Sequence, residues 1–529
     1  QDEWKDSYER RTDAFGGNPS IRLELPPPRG EFSAGKGVAQ DEIIAAAEGI
    51  NRFAFDLYEH LAASDEDGNL FFAPSGISNI VAVPYMGASG ETADEMRQVM
   101  HFPASPDEIG PIYAALTLAT ESPAVRSEPS SSSSAWPGGL WSVPQADDEE
   151  TIERLVLPQF DGFEGFGNQE GFRSPRRSER LNPGYGPGMG TFNGPPCEEF
   201  QDHPSMAMAM STGGLTPAEA ELLGLVASPI RMANGLWVQP EWDFQESFLT
   251  DAKKYFGATV APLDFRDPDH AASVINEWSS VKTQGLISDL FNPSHFPEGT
   301  NSFFANGIHY EAYWNAPFSP QSTELKQDFQ RFDGSVYPIP LMVKQEEDLP
   351  YYEHDGTQVV QLEYENSEFK MLLLLPPEGK EAYKTFESSL SQELLTKIAG
   401  SLEPQRLNLS VPRFEMTSAI QDLPGVLKSL GMASAFGSTA EFPGMLEGDS
   451  PFCLGEGTHR ALLQVTEEKT VAAAMGGMGG MGGMPPEPPK VIEMRIDRPF
   501  LLMIRHEPTG MIVFMGRIIE PTAYEGGAW

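Results

Sequence analysis

The chain has 529 residues, with 36 Lys and Arg against 77 Asp and Glu, a formal net charge of -41. That balance argues against nucleic-acid and anionic-membrane partners and points to a heavily solvated exterior. Two cysteines, Cys197 and Cys453, are too few for a disulfide framework, and no run of eighteen apolar residues exists to span a bilayer.

Residues 1–40 are polar, carry "ELPPPRGEFSAGKG" and read as a flexible leader. The chain begins at Gln1 without an initiator Met, which points to export with signal removal, to the extracellular space or the periplasm. The folded region is expected over 41–521, followed by a tail over 522–529. From Asp41, the apolar residues Ile43, Ala47, Ile50, Ala54, Leu57 and Leu61 recur in steps of four and three, one stripe of an amphipathic helix.

Residues 122–229 break the periodicity with "SEPSSSSSAWPGG", "GPGMGTFNGPP" and acidic patches, and read as an insertion that is either a spacer or a tether. Within it, Thr216 to Glu219 forms a capping-box pattern ahead of "AELLGLV" and predicts one short helix. After the insertion, "ANGLWV", "NSFFANGIHYEAYW", "TQVVQLEY", "FKMLLLLPP" and "RLNLSVPRF" read as strands, and "DHAASVINEWSSVK" and "AIQDLPGVLKSL" as helices. The architecture is α+β with a sizeable sheet.

Catalytic chemistry has no positive signal. The nine histidines are scattered singly and away from both cysteines, so neither a metal site nor a cofactor is expected. "GPGMG" has no Lys-Ser/Thr after it, and "GASGE" lacks the frame of a nucleophile elbow.

Five ordered segments carry a resemblance: "INEWSSVKTQGLISDLF", "FFANGIHYEAYWNAPF", "LKSLGMASAFGSTAEFPGM", "HRALLQVTEEKTVAAA" and "MRIDRPFLLMI" with "TGMIVFMGRIIEP". Together they resemble the serpin family. The resemblance implies a monomeric fold of three β-sheets and about eight to nine helices with an exposed reactive-centre loop. It also implies a suicide inhibitor of serine proteases: the target cleaves the loop, is held as an acyl-enzyme, and is carried away as the loop inserts into the large sheet. A non-inhibitory binding or storage protein of the same fold is the alternative.

The loop falls on "EEKTVAAAMGGMGGMGGMPPEPP", Glu467 to Pro489. The hinge would be Glu467, Glu468, Lys469, Thr470, Val471, Ala472, Ala473 and Ala474, with Lys469 where the family usually has glycine. A central strand tolerates no proline and must place alternate residues on opposite faces. From Thr470 to Met481 neither face carries a charge, and the first proline is Pro485. Counting seventeen residues from Glu467, as inhibitory members do, places the reactive bond at Gly483–Met484, with Met481 and then Met484 as the next choices for the residue before the cut. Methionine there suits elastase-, chymotrypsin- or subtilisin-like proteases. By the same resemblance, Trp314 and Asn306 belong where the loop first enters the sheet, and His459 to a polar cluster beneath the sheet centre. Ala73 and Gly76, where serines are common, are expected to weaken that cluster. Ser105 to Thr120 has no Lys or Arg, so a heparin-like polyanion is not an expected partner.

Overall fold

The computed structural model describes residues 37–121, 230–283, 291–310, 312–365, 368–448, 451–467 and 491–524. The leader and the insertion, with its predicted helix, lie outside these residues. The stripe from Ile43 to Leu61 forms helix α1 (Gln40–Ser64), with Ala47, Ile50, Ala54 and Leu57 fully buried or nearly so. Its Asn51 accepts from Ile512 N at 2.7 Å and donates to Gly510 O at 2.9 Å, which ties the helix to the C-terminal strands.

Strand β1 (Leu70–Phe72) leads into α2 (Pro74–Tyr85), a helix buried on every side. Such a helix must be enclosed, and α2 lies between two sheets. Helices α3 (Gly90–Met100) and α4 (Ile109–Glu121) follow. Past the insertion come β2 (Ile230–Val238), α5 (Glu246–Phe256), β3 (Thr259–Pro262), α6 (Pro268–Lys282) and β4 (Ser302–Tyr310). Then β5 (Glu324–Gln330), β6 (Val336–His354), β7 (Thr357–Glu363) and β8 (Phe369–Leu375) run in succession. The remainder is α7 (Lys380–Glu387), α8 (Gln392–Ser401), β9 (Glu403–Pro412), β10 (Phe414–Ile420), α9 (Leu423–Ser429), β11 (Glu456–Val465), β12 (Ile492–Arg495), β13 (Phe500–His506), β14 (Ile512–Ile518) and β15 (Thr522–Ala523).

The nine-stranded sheet runs β1-β14-β13-β8-β7-β6-β9-β12, with β5 paired to β6; the six-stranded sheet runs β15-β10-β11-β4-β2-β3. The three sheets expected from the resemblance thus trace as two hydrogen-bonded networks. The 19-residue β6 pairs with β5, β9 and β7 in turn, and a bulge between Lys344 and Glu347 bends it from one layer to the next. Expected strands fall on β2, β4, β7, β8 and β9. The segment Ala419–Leu430 is only partly helical: Ile420 ends β10, and α9 starts after Asp422, whose side chain accepts from Gly425 N at 2.8 Å.

The two faces of the six-stranded sheet bury different cores. Leu236, Val238, Phe304 and Ile308 join the main core around α2. Trp237, Trp278, Phe303, Phe291 and Phe296 fill a second aromatic core beneath α6, with Trp237 and Trp278 edge-on at 4.8 Å. At the middle of this sheet β11 pairs with β4 in parallel, in register from Glu456↔Phe303 to Leu463↔Tyr310, while both outer neighbours, β10 and β2, are antiparallel.

Candidate functional site: the β4–β11 seam

Two polar clusters hold this seam, one at its centre and one where the chain leaves β11. At the centre, His459 is 1% exposed. Its Nε2 accepts the Ala73 backbone N–H at 3.0 Å, so Nδ1 carries the proton and donates to Asn306 Oδ1 at 2.8 Å. Asn306 Nδ2 donates to Asn234 Oδ1 at 2.7 Å, and Asn234 Nδ2 to Asn79 Oδ1 at 3.2 Å. The relay therefore crosses from β11 to β4 to β2 and returns to α2. Burial pulls the imidazole pKa down to about 3. Protonation would also aim a second N–H at the Ala73 donor.

Ala73 and Gly76 do not strip this cluster of hydrogen bonds. Ala73 takes part through its backbone, and Gly76 makes room: a Cβ there would stand 2.4 Å from Asn306 Oδ1. Asn306 thereby belongs to the central cluster with His459, rather than to the end of the seam with Trp314.

At that end, Trp314 Nε1 donates to Thr466 O at 2.9 Å, and its ring stacks on Tyr364 at 4.6 Å. Glu467, 6% exposed, takes Thr323 Oγ1–H at 2.8 Å and Arg413 Nη1–H at 3.2 Å on one carboxylate oxygen. Its backbone carbonyl accepts from Phe318 N at 3.2 Å. Lys344 on β6 holds the 314–318 segment from below, donating to Ala316 O at 2.6 Å and Pro317 O at 3.1 Å, with its ammonium 4.7 Å over the Phe318 ring. Burial pulls this ammonium below its ordinary pKa.

Sequence reasoning named Trp314, Asn306, His459 and Glu467 but not Asn79, Asn234, Thr323, Lys344 or Arg413. The last three hold Glu467 or the 314–318 segment from far away in sequence, so no local spacing could have signalled them. The remaining hinge residues, Glu468 to Ala474, and the reactive-bond candidates Met481, Gly483 and Met484 lie outside the described residues. Among the described residues there is no group of three or more His, Cys, Asp or Glu able to hold a metal, and no helix long and apolar enough to cross a membrane.

The family model described as "Serpin (serine protease inhibitor)" matches residues 48–137 and 222–521. The chain belongs to the serpin family. Human neuroserpin is 33% identical over 299 residues, 55% of this serpin and 71% of that protein. Rat serpin B10 is 27% identical over 480 residues, covering 90% of this chain and 99% of its own. An uncharacterised serpin-like protein of Thermococcus kodakarensis is 25% identical over 473 residues, 89% and 85% of the two chains. Among solved structures, native protease nexin-1 with heparin superposes with a TM-score of 0.62 at 19% identity, covering 90% of this serpin and all of that chain. Human thyroxine-binding globulin, solved with its hormone, gives 0.61 at 21%, covering 91% and 100%. These structural likenesses carry the fold alone.

Proposed function

We propose that this serpin is a suicide-substrate inhibitor of serine proteases with elastase-, chymotrypsin- or subtilisin-like pockets. The observation that carries the reading is the direct parallel pairing of β4 and β11 at the centre of the six-stranded sheet. The chain leaves β11 into residues 468–490, so a strand formed by those residues between β11 and β4 would run antiparallel to both. One parallel ladder would become two antiparallel ones, which are more stable per residue.

The loop's composition permits such an entry. β11 spans 10 residues, and the uncharged run Thr470 to Met481 can lie along all of it, at about 3.4 Å per residue. On β11, His459, Ala461, Leu463 and Val465 are buried, so alternate residues of an entering strand would lie over the core, which side chains as small as Ala and Gly permit. The Glu467 cluster is the first thing to give way, because the loop hangs from it. Ser105 to Thr120 offers no cation to a polyanion, which speaks against activation through that segment.

The test is to mix the full chain with elastase, chymotrypsin, subtilisin and trypsin, run denaturing gels, and map the cut by mass spectrometry. The expected result is an SDS-stable complex with release of a C-terminal peptide starting between Gly482 and Pro485. Cleavage with neither complex nor gain in thermal stability would overturn the proposal in favour of a non-inhibitory serpin, with Lys469 and the glycine repeat as the reason.

A further inference from the structure

A cavity of about 80 Å³ lies where three separate stretches of chain meet: the β5–β6 turn from Gln330 to Gly334, the start of α7 at Gly379 and Lys380, and the β12–β13 connection at Arg498 and Pro499. Its lining carries three cations, Arg331, Lys380 and Arg498, and no carboxylate. In a chain where acids outnumber bases 77 to 36, this is the reverse of the overall composition.

The cations are fixed in place from outside the cavity. Arg498 donates through Nε and Nη2 to Pro376 O at 3.2 and 3.0 Å, and its Nη1 stands 3.6 Å from Asp497. Lys380 Nζ meets Asp67 at 2.5 Å. Arg331 pairs with Glu520, has Asp333 nearby, and lies 4.1 Å over the Tyr337 ring. Phe332 and Tyr383, edge-on at 5.1 Å, supply the apolar part of the wall. Held this way, the side chains have little conformational entropy left to lose on binding.

We propose that this cavity binds one tetrahedral oxyanion, a phosphate or sulfate group. The cavity, about 80 Å³, has room for a single such group. Guanidinium and ammonium N–H groups recognise this chemistry, and the group would bind through the hydrogens that Arg331, Lys380 and Arg498 do not spend on Glu520, Ser335, Asp67, Asp497 and Pro376 O. The bound group bridges three stretches of chain, one of them the segment that follows β12, so it stabilises the end of the nine-stranded sheet next to the loop's far anchor. The site is independent of whether the loop inserts.

The experiment uses the uncleaved full chain, titrated by calorimetry with inorganic phosphate and inorganic sulfate, and melted in each against chloride at matched ionic strength. Wild type, R331Q and K380Q are compared. The expected result is saturable 1:1 binding in the wild type, competition between the two anions, and a rise in melting temperature of about 3 °C at a hundredfold excess over Kd. Each variant should bind at least tenfold more weakly while melting within 2 °C of wild type in chloride. Glycerol phosphate separates the two sources of the group: binding equal to phosphate means a terminal group on a larger molecule, and weaker binding means the free ion. Absence of heat together with an unbroadened ³¹P phosphate resonance in the wild type overturns the proposal. So does a non-saturating stabilisation shared by all three proteins, the mark of salt exclusion from the surface. If a variant fails to fold, sulfate competition against ³¹P broadening in the wild type decides.

Discussion

Gly76→Ala, made alone and together with Asn306→Ala, is the sharpest probe of the seam's centre. The three atoms nearest to a Cβ at Gly76 all belong to Asn306, at 2.4, 3.1 and 3.2 Å. Asn306 cannot retreat freely, because it accepts from His459 at 2.8 Å and donates to Asn234 at 2.7 Å. The added methyl therefore either overpacks the site, at about 1 to 3 kcal/mol, or breaks the relay and leaves buried groups unpaired at a similar cost for each. Asn306→Ala alone orphans the His459 Nδ1–H and Asn234 Oδ1, about 2 to 6 kcal/mol in all. Once Asn306 is gone, the obstacle to the methyl is gone too, and Ala in a helix is better than Gly by about 0.5 to 1 kcal/mol. Gly76→Ala should thus destabilise the wild type and stabilise the Asn306→Ala background. For a body of roughly 400 residues, 1 kcal/mol is worth about 1.2 °C of melting temperature, so the expected shifts are a loss of about 1 to 4 °C and a gain of about 1 °C. Equal shifts in the two backgrounds, or a Gly76→Ala protein that melts with the wild type, would refute the assigned role of the glycine.

Glu467→Gln should lower the melting temperature of the uncleaved protein by about 1 to 4 °C through loss of charge-assisted bonds to Thr323 and Arg413; the loop-cleaved form, where the proposal releases Glu467, should show no such loss in guanidinium unfolding. The folded-state pKa of His459, about 3, lies below the unfolded value of about 6.5, so the unfolded chain binds the extra proton, and this contribution is complete above pH 6.5 and falls as the pH drops towards 3. Melting between pH 7 and 4.5, before most carboxylates titrate, should show a wild-type decline that His459→Gln reduces; His506, also buried and lowered, keeps part of the slope in the variant. Arg517→Met should cost about 1 to 3 kcal/mol, or 1 to 4 °C, because Glu387 loses its 3.0 Å bond to Arg517 and Gly68 O loses its donor, while Tyr58 at 2.7 Å and Lys384 at 2.8 Å still hold the carboxylate.

What the sequence made legible depended on the range of the forces involved. The stripe of α1 and the apolar runs of β7 and β8 report burial on fixed faces, a periodic signal available within one segment. Strand β6 hid behind Pro338, Pro340 and Pro350, which in a lone sequence argue against a strand; the structure accommodates them on a strand whose pairing passes from one partner to another. The relay Ala73–His459–Asn306–Asn234–Asn79 joins residues up to 386 positions apart, so no spacing could announce it. His459 and Asn306 entered through family resemblance alone, and only coordinates could show that Gly76 is the complement of Asn306.

The two clusters restrain the same seam by different chemistry, and this orders its opening. The central relay is neutral, buried and assembled from three strands and a helix, so breaking it leaves several buried polar groups unpaired. The Glu467 cluster sits at one end and depends on a single carboxylate held by Thr323 and Arg413, with Trp314 fixing the preceding carbonyl. Pulling residue 467 away costs one set of charge-assisted bonds and separates the first pair of the ladder, whereas separation at the centre must break the relay before any ladder bond is regained. Under the proposed insertion, opening would start at the loop end and reach His459 only after an entering strand had begun to pair. The gain from each new antiparallel pair would then offset the cost of the relay.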